Sequence, residues 1–221
     1  QKELIEYEKG DVKICIEQGE QWLHDFPLFL GINKKNPPQI AIWLEDTQGN
    51  YLSTVYVTHK IATQSWQASG GNRRKEALPH WCYSRGVKYD DGLYLPTKKE
   101  PLIDGISGAT PHESFNIKLN PATALKKFVV KIEINHSTDF NEAFPKSAKD
   151  GEANYSGGKE GSGQPAIVYA ANVDLSSGEK SFEANLMGHS SPDGSSGEVN
   201  KDTSGLTTAL HIVKRITVII Q

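Results

Sequence analysis

The stretch 39–58 constrains the fold more than any other. Gln-Ile-Ala-Ile-Trp-Leu-Glu at 39–45 and the β-branched, aromatic run 51–58 flank the polar segment Asp46-Thr-Gln-Gly-Asn50. Such side chains suit a pleated surface, and Gly49 with Asn50 tolerates the backbone of a tight turn, so the sequence predicts a hairpin. An isolated hairpin is not stable in water and must bury a face against further strands. The chain supplies them. Residues 12–17 and 114–119 alternate apolar and polar, 128–135 and 166–175 are strand-like, 180–186 alternates and pairs with 166–175 as a second hairpin, and 216–220 is β-branched. About eight strands at sandwich-like spacing, with no alternating βαβ units, exclude a doubly wound parallel sheet. The expected fold is mainly β: one antiparallel sandwich domain over 1–221, with long loops and one or two short helices.

Helical expectations are few. Apolar residues at 206, 209, 210, 212 and 213 have helical spacing, and part of 73–78 reads as helical. Residues 122–127 read as a polar connection or helical turn, 22–32 as a loop or short edge strand interrupted by Pro27, and 1–9 as a charged approach segment. The Gly- and Ser-rich runs 150–163 and 188–205 read as flexible loops.

With 221 residues and a formal net charge of -3, the chain lacks the basic footprint of a nucleic-acid binder. No segment approaches the roughly 20 apolar residues of a membrane helix. Cys15 and Cys82 form no C-x-x-C pair and read as two small apolar side chains, a disulfide requiring an oxidising compartment. None of the seven histidines falls in H-x-H or H-E-x-x-H, so no zinc signature is present and no metal ligand is assigned. The oxygen-rich run 135–142 offers calcium ligands without EF-hand spacing and reads as a solvated loop. There is no G-x-S-x-G elbow, and the glycines of 157–163 lack Walker order, so no catalytic residue is assigned.

Between 66 and 94 the periodicity disappears. Trp66, Trp81, Tyr83, Tyr89 and Tyr94 surround the basic cluster Arg73-Arg74-Lys75. These side chains suit stacking on a flat ring or sugar and pairing with a phosphate. They equally suit plugging the open edge or end of a sandwich.

One stretch carries a chemical motif. Asp104-Gly-Ile-Ser107-Gly108-Ala109-Thr110 resembles the covalent flavinylation motif D-x-x-[ST]-G-A-T. In FMN-binding domains of sodium- and ferredoxin-linked electron-transport complexes, a flavin transferase uses FAD to attach FMN to the last Thr through a phosphoester. The resemblance implies a cofactor site of Asp104, Ser107, Gly108, Ala109 and Thr110 holding FMN. Pro111-His112-Glu113-Ser114 replaces the family's usual continuation and restricts Thr110 to extended conformations. A wider resemblance, to a family of predicted periplasmic bacterial proteins found beside flavin transferases, rests on 42–46, 49–52, Leu78-Pro-His-Trp81, 104–110, Lys131-Ile-Glu-Ile-Asn135, Gly188-His-Ser-Ser-Pro-Asp-Gly194 and 206–210. It implies an exported, immunoglobulin-like domain whose partners are flavin transferases and flavin-linked membrane redox proteins. No signal peptide opens the sequence, which fits a mature exported protein or a shortened chain.

Two functions follow as expectations. One is an extracytoplasmic flavin-linked protein of a redox system, carrying FMN on Thr110, with Trp81 or a nearby Tyr as the ring's stacking partner. The other is a non-enzymatic binding module for a glycan or a partner protein. The surroundings of Thr110 separate them: an exposed hydroxyl suits attachment, and a buried, hydrogen-bonded one marks a turn.

Overall fold

The computed structural model describes residues 3–5, 11–27, 31–66, 73–102, 105–119 and 125–221. In chain order the elements are β1 (Glu3–Ile5), β2 (Val12–Gln18), β3 (His24–Pro27), β4 (Asn33–Asn36), β5 (Gln39–Glu45), β6 (Tyr51–Thr58), α1 (His59–Thr63), α2 (Pro79–Arg85), β7 (Ile106–Gly108), β8 (Phe115–Leu119), β9 (Lys127–Asn135), β10 (Ile167–Asp174), β11 (Ser181–Glu183), β12 (Asn185–Ser190), β13 (Val199–Asn200) and β14 (Val213–Ile220). They form a five-stranded sheet, β1-β8-β2-β14-β11, a seven-stranded sheet, β13-β12-β10-β9-β5-β6-β7, and the small pair β3-β4. Pairing is antiparallel except for β1 with β8 and β6 with β7. The fold is mainly β and sandwich-like, with two short helices.

The two large sheets share one apolar core. Val12, Ile14, Ile16, Phe115, Ile117, Ile216 and Val218 from the smaller sheet meet Ile40, Ile42, Tyr56, Val130, Ile132, Ile134 and Ile167 from the larger. Strand β5 is buried along its whole length, because it feeds two cores. Its alternate residues Ala41 and Trp43 face the other way, onto Ile61, Leu78, Trp81, Cys82 and Leu95. The unbroken apolar reading of 39–45 is the signature of a strand covered on both faces. The irregular stretch after α1 therefore roofs a sheet face rather than plugging an end.

Several expectations need correction. The helix expected within 73–78 begins six residues later, at Pro79, which occupies the first helical turn. Leu78, preceding it, sits at φ -138 and ψ 62, outside the helical region that a following proline disfavours. The helix over 206–215 is a single 3-10 turn, Thr208–His211, followed at once by β14. A register shift between Val213 and Arg215 breaks the strand's alternation. The apolar spacing 206–213 therefore runs across the junction of a turn and a strand, with Leu206, Ala209, Ile212 and Val213 buried.

The second hairpin is also different. Strand β10 pairs with β12, while Ser181–Glu183 crosses to the smaller sheet and pairs with β14. The expected loop 188–205 begins within β12 and contains β13. The run 150–163 is not a loose loop: Ser156, Ser162 and Gln164 are buried, and Thr138 and Asp139 donate backbone N–H groups to Gly161 and Ser162 carbonyls. Part of the approach segment 1–9 is strand β1, and 22–32 supplies the edge strand β3. Of the connection 122–127, residues 122–124 lie outside the described residues and Lys127 opens β9.

Cys15 and Cys82 are not bonded to each other. Cys15 is half-buried on the face opposite Ile14 and Ile16, as its parity predicts, and Cys82 is buried in α2. Burial raises the Cys82 thiol far above its ordinary value, so it stays protonated and unreactive.

Candidate functional site

The flavinylation-like stretch forms the far edge of the larger sheet. Strand β7 pairs in parallel with Tyr56–Thr58, aligning Ser107 with Val57 and Gly108 with Thr58. Ser107 and Ala109 are exposed and Gly108 is half-buried; the Ser107 hydroxyl lies 3.4 Å from His59 Nδ1. Thr110 is only 4% exposed. Its Oγ1 lies 2.8 Å from the Thr58 hydroxyl, which accepts the Ile40 N–H at 2.9 Å. The Pro111 carbonyl accepts the Trp22 indole N–H at 3.0 Å. Thr110 therefore has the surroundings of a structural turn residue. Asp104 lies outside the described residues.

The aromatic and basic residues of 66–94 are also largely committed. Trp81 is fully buried, and its indole N–H donates to Thr54 Oγ1 at 3.0 Å; it offers no face to a ligand ring. Arg74 is buried against Glu76 at 3.1 Å and lies over Trp66, its guanidinium carbon 4.8 Å from the ring centroid. Arg73 pairs with Asp91 and donates to the Pro96 carbonyl at 3.0 Å. Tyr83 and Tyr94 stack at 4.4 Å. The oxygen-rich run 135–142 is packed rather than solvated: Asn135, His136 and Asp139 are buried, and Asp139 accepts the Thr208 hydroxyl at 2.7 Å.

Among the described residues a groove lies elsewhere, at the β12–β13 end of the larger sheet. It spans about 780 Å³, with Phe144, Val199 and Leu206 among its apolar walls and His189, Ser191, Glu198 and Asn200 among its polar ones. Such a volume falls within the range of ordinary ligand sites, roughly 300–1,000 Å³.

Its wall, 191–198, is held on α2. His80 Nδ1 lies 2.6 Å from the Gly197 carbonyl, and the Tyr83 hydroxyl donates to the Ser195 carbonyl at 2.7 Å. Gly197 lies flat on Tyr83, where a Cβ would approach the Tyr83 Cβ to 2.3 Å. At the other end Gly188, with φ +142, lets the chain cross Asn200, whose carbonyl would meet a Cβ at 2.0 Å. Neither glycine has room for a side chain.

Beneath this wall sits a buried polar cluster. Glu133 is fully buried on β9 and accepts the His80 and Trp81 N–H groups at 3.0 and 2.7 Å and the Ser190 hydroxyl at 2.5 Å. One carboxylate thus ties together β9, α2 and β12. Burial raises Glu133 to about 7, against the opposing pull of Ser190, Trp81, His80 and Lys131. Lys131 Nζ lies 3.0 Å from His80 Nε2 and 3.5 Å from Glu45, whose other oxygen accepts the Trp43 indole N–H at 2.8 Å. An ammonium only donates, so His80 Nε2 accepts and Nδ1 carries the proton given to Gly197. Burial and the Lys131 charge hold His80 below its ordinary value and keep it neutral.

His80, Lys131, Glu133, His189 and Ser190 were not singled out as site residues in the sequence. A signal existed. Four of the seven segments on which the wider resemblance rests, 42–46, 78–81, 131–135 and 188–194, supply this cluster. Single-chain periodicity does not bring them together, because they come from β5, α2, β9 and β12.

No family model, curated protein or solved structure matches the chain, so its function is argued from its own fold and groove.

Proposed function

We propose that the chain is a non-catalytic binding module that takes its ligand, a glycan or a partner protein, into the groove walled by residues of 189–206. The carrying observation is the fixing of one wall: His80 and Tyr83 tether 191–198 to α2, and Glu133 tethers Ser190 to the same helix. A wall anchored before the ligand arrives spares the ordering cost of binding. Loops on a rigid β scaffold are the usual seat of such sites. Hydrogen–deuterium exchange tests the reading. A bound glycan or partner should slow exchange within 189–206. Protection confined to the β7 edge or to the smaller sheet would overturn it.

A second reading keeps the flavin link. It is favoured by the seven-residue match and by the exposure of Ser107 and Ala109 on an edge strand. In it the chain acts outside the cytoplasm, carries FMN on Thr110, and has a flavin transferase and flavin-linked membrane redox proteins as partners. Thr110 Oγ1 must leave Thr58 and reach solvent for the phosphoester to form. Co-expression with a flavin transferase is therefore expected to leave the folded chain at its unmodified intact mass. A gain of one FMN group that disappears in Thr110→Ala would establish flavin carriage instead.

A further inference from the structure

Two side chains of α2 hold the wall at 195–197, and one of them titrates on the acid side of neutrality. Burial, with Tyr94, raises the Tyr83 phenol above its ordinary value, so its hydroxyl keeps donating to the Ser195 carbonyl. The other is His80. Its Nδ1–H donates to the Gly197 carbonyl at 2.6 Å, and its Nε2 accepts from Lys131 Nζ at 3.0 Å. An ammonium has no lone pair, so the second contact exists only while Nε2 is bare.

A proton on Nε2 sets two cations 3.0 Å apart, and the groups around the ring decide what yields. Lys131, from β9, has little room: its side chain is 14% exposed and Nζ lies 3.5 Å from Glu45 of β5. Glu45 already accepts the Trp43 indole N–H. Glu133, also from β9, is raised to about 7 by burial and is largely neutral by the time the ring gains a proton, so it adds little countercharge. On α2 itself Cys82 stays protonated and Arg85 is a further cation, and on the wall Glu198 is exposed. Glu133 also ties the His80 backbone N–H at 3.0 Å. The half-buried ring is therefore the part free to turn outward. Being rigid and planar, it cannot turn off Lys131 and keep Nδ1 on Gly197.

We propose that His80 is an acid-released latch on the groove: a proton at Nε2 drives the ring off Lys131, withdraws Nδ1–H from Gly197 and loosens 195–198. This names a regulation of the groove and rests on the binding-module reading, although the latch is read out without a ligand. Burial, with Lys131, holds the ring below its ordinary 6.5 against the pull of the Gly197 carbonyl and Glu45. The wall is thus fully anchored above 6.5 and released as the pH falls through the lower folded value.

The test is an NMR pH titration of the full chain that follows the His80 ring nitrogens, the Gly197 carbonyl carbon and the amides of 195–198. One step below 6.5 should move all three together, with a falling heteronuclear NOE across 195–198 on the acid side. Lys131→Met removes the repulsion. Its ring should titrate at a higher pH while the Gly197 carbonyl stays in place, because Nδ1–H keeps donating. The wild-type titration decides the matter even if this variant folds poorly. A Gly197 carbonyl that does not move as wild-type His80 titrates would overturn the latch, as would a Lys131→Met wall released at the wild-type pH. A ligand footprinted outside 189–206 would overturn the groove reading and leave the latch standing.

Discussion

Arg74→Ala should lower the stability of the chain by about 3–5 kcal/mol, as removal of one member of a buried ion pair does. Arg74 and Glu76 have side chains exposed by 2% and 1%, with Nε 3.1 Å from Oε1. The guanidinium also donates to Ser162 at 2.9 Å and to Ser137. Ser162 in turn donates to Asn135 at 2.7 Å, at the end of β9. One cation therefore fastens the packed run 156–163 to the sheet beneath it. Truncation leaves the Glu76 carboxylate in a dry site without the Arg74 charge, and that desolvation is the larger part of the loss. Replacing both partners together, Arg74→Met with Glu76→Met, removes the stranded charge and should recover most of the loss. Urea unfolding of the three variants checks this. A loss below about 1 kcal/mol in Arg74→Ala would show that water reaches Glu76 and that the pair behaves like a surface one.

The second large effect is a pH dependence at Glu133. Its carboxyl is raised from 4.5 to about 7 by burial. The folded chain then holds this proton up to about 7 and the unfolded chain only to 4.5. The contribution to stability is full below 4.5 and is lost as the pH rises through 7. Between about pH 5 and 7.5 this linkage amounts to roughly 2–3 kcal/mol. His136 opposes it. Burial holds that ring at about 4 instead of 6.5, so its contribution is present above 6.5 and is lost as the pH falls through 4. The two slopes nearly cancel in the wild-type chain. Glu133→Gln removes one of them and should lose stability steeply on acidification. Gln also places an amide where one donor pointed at a carboxylate, a loss of about 1–3 kcal/mol that does not vary with pH. The informative quantity is therefore the gap between wild type and variant, which should be roughly 2–3 kcal/mol wider near pH 5 than near pH 7.5. A gap of equal width at both values would mean that Glu133 titrates in its ordinary range.

Much of the β scaffold was legible because strand burial prints directly on side-chain alternation. Strands β5 and β6 keep the bounds read from 39–45 and 51–58, and Ile14 and Ile16 face the core with Cys15 turned away. The misreadings share one cause, pairing decided at long range. A 3-10 turn running into β14 gives residues 206–213 a false helical period, and the chain changes sheets between β11 and β12 where local alternation suggested a hairpin. Loop composition misled in the same way. Ser156 and Ser162 look like linker residues in sequence, yet they are buried because Arg74, Asn135 and backbone amides supply their partners.

The candidate site was less legible than the fold. The motif at 104–110 drew the eye, but the Thr110 hydroxyl is held by Thr58, a residue on a strand 52 positions away. Conversely, Glu133 sits in the alternating run of β9 as if it faced solvent. It becomes a buried hub only because α2 and β12 close over that face. Nothing in one local window reports that closure.

The groove is tested most directly by Ala153→Trp. Ala153 is exposed on the rim, so an indole there fills the groove and leaves the core and the Glu133 cluster untouched. Binding to a glycan array or to a partner protein should weaken at least about tenfold, a loss of roughly 1.4 kcal/mol, while the urea midpoint stays at its wild-type value. A folded Ala153→Trp chain that binds as tightly as wild type would contradict a ligand seated in the groove.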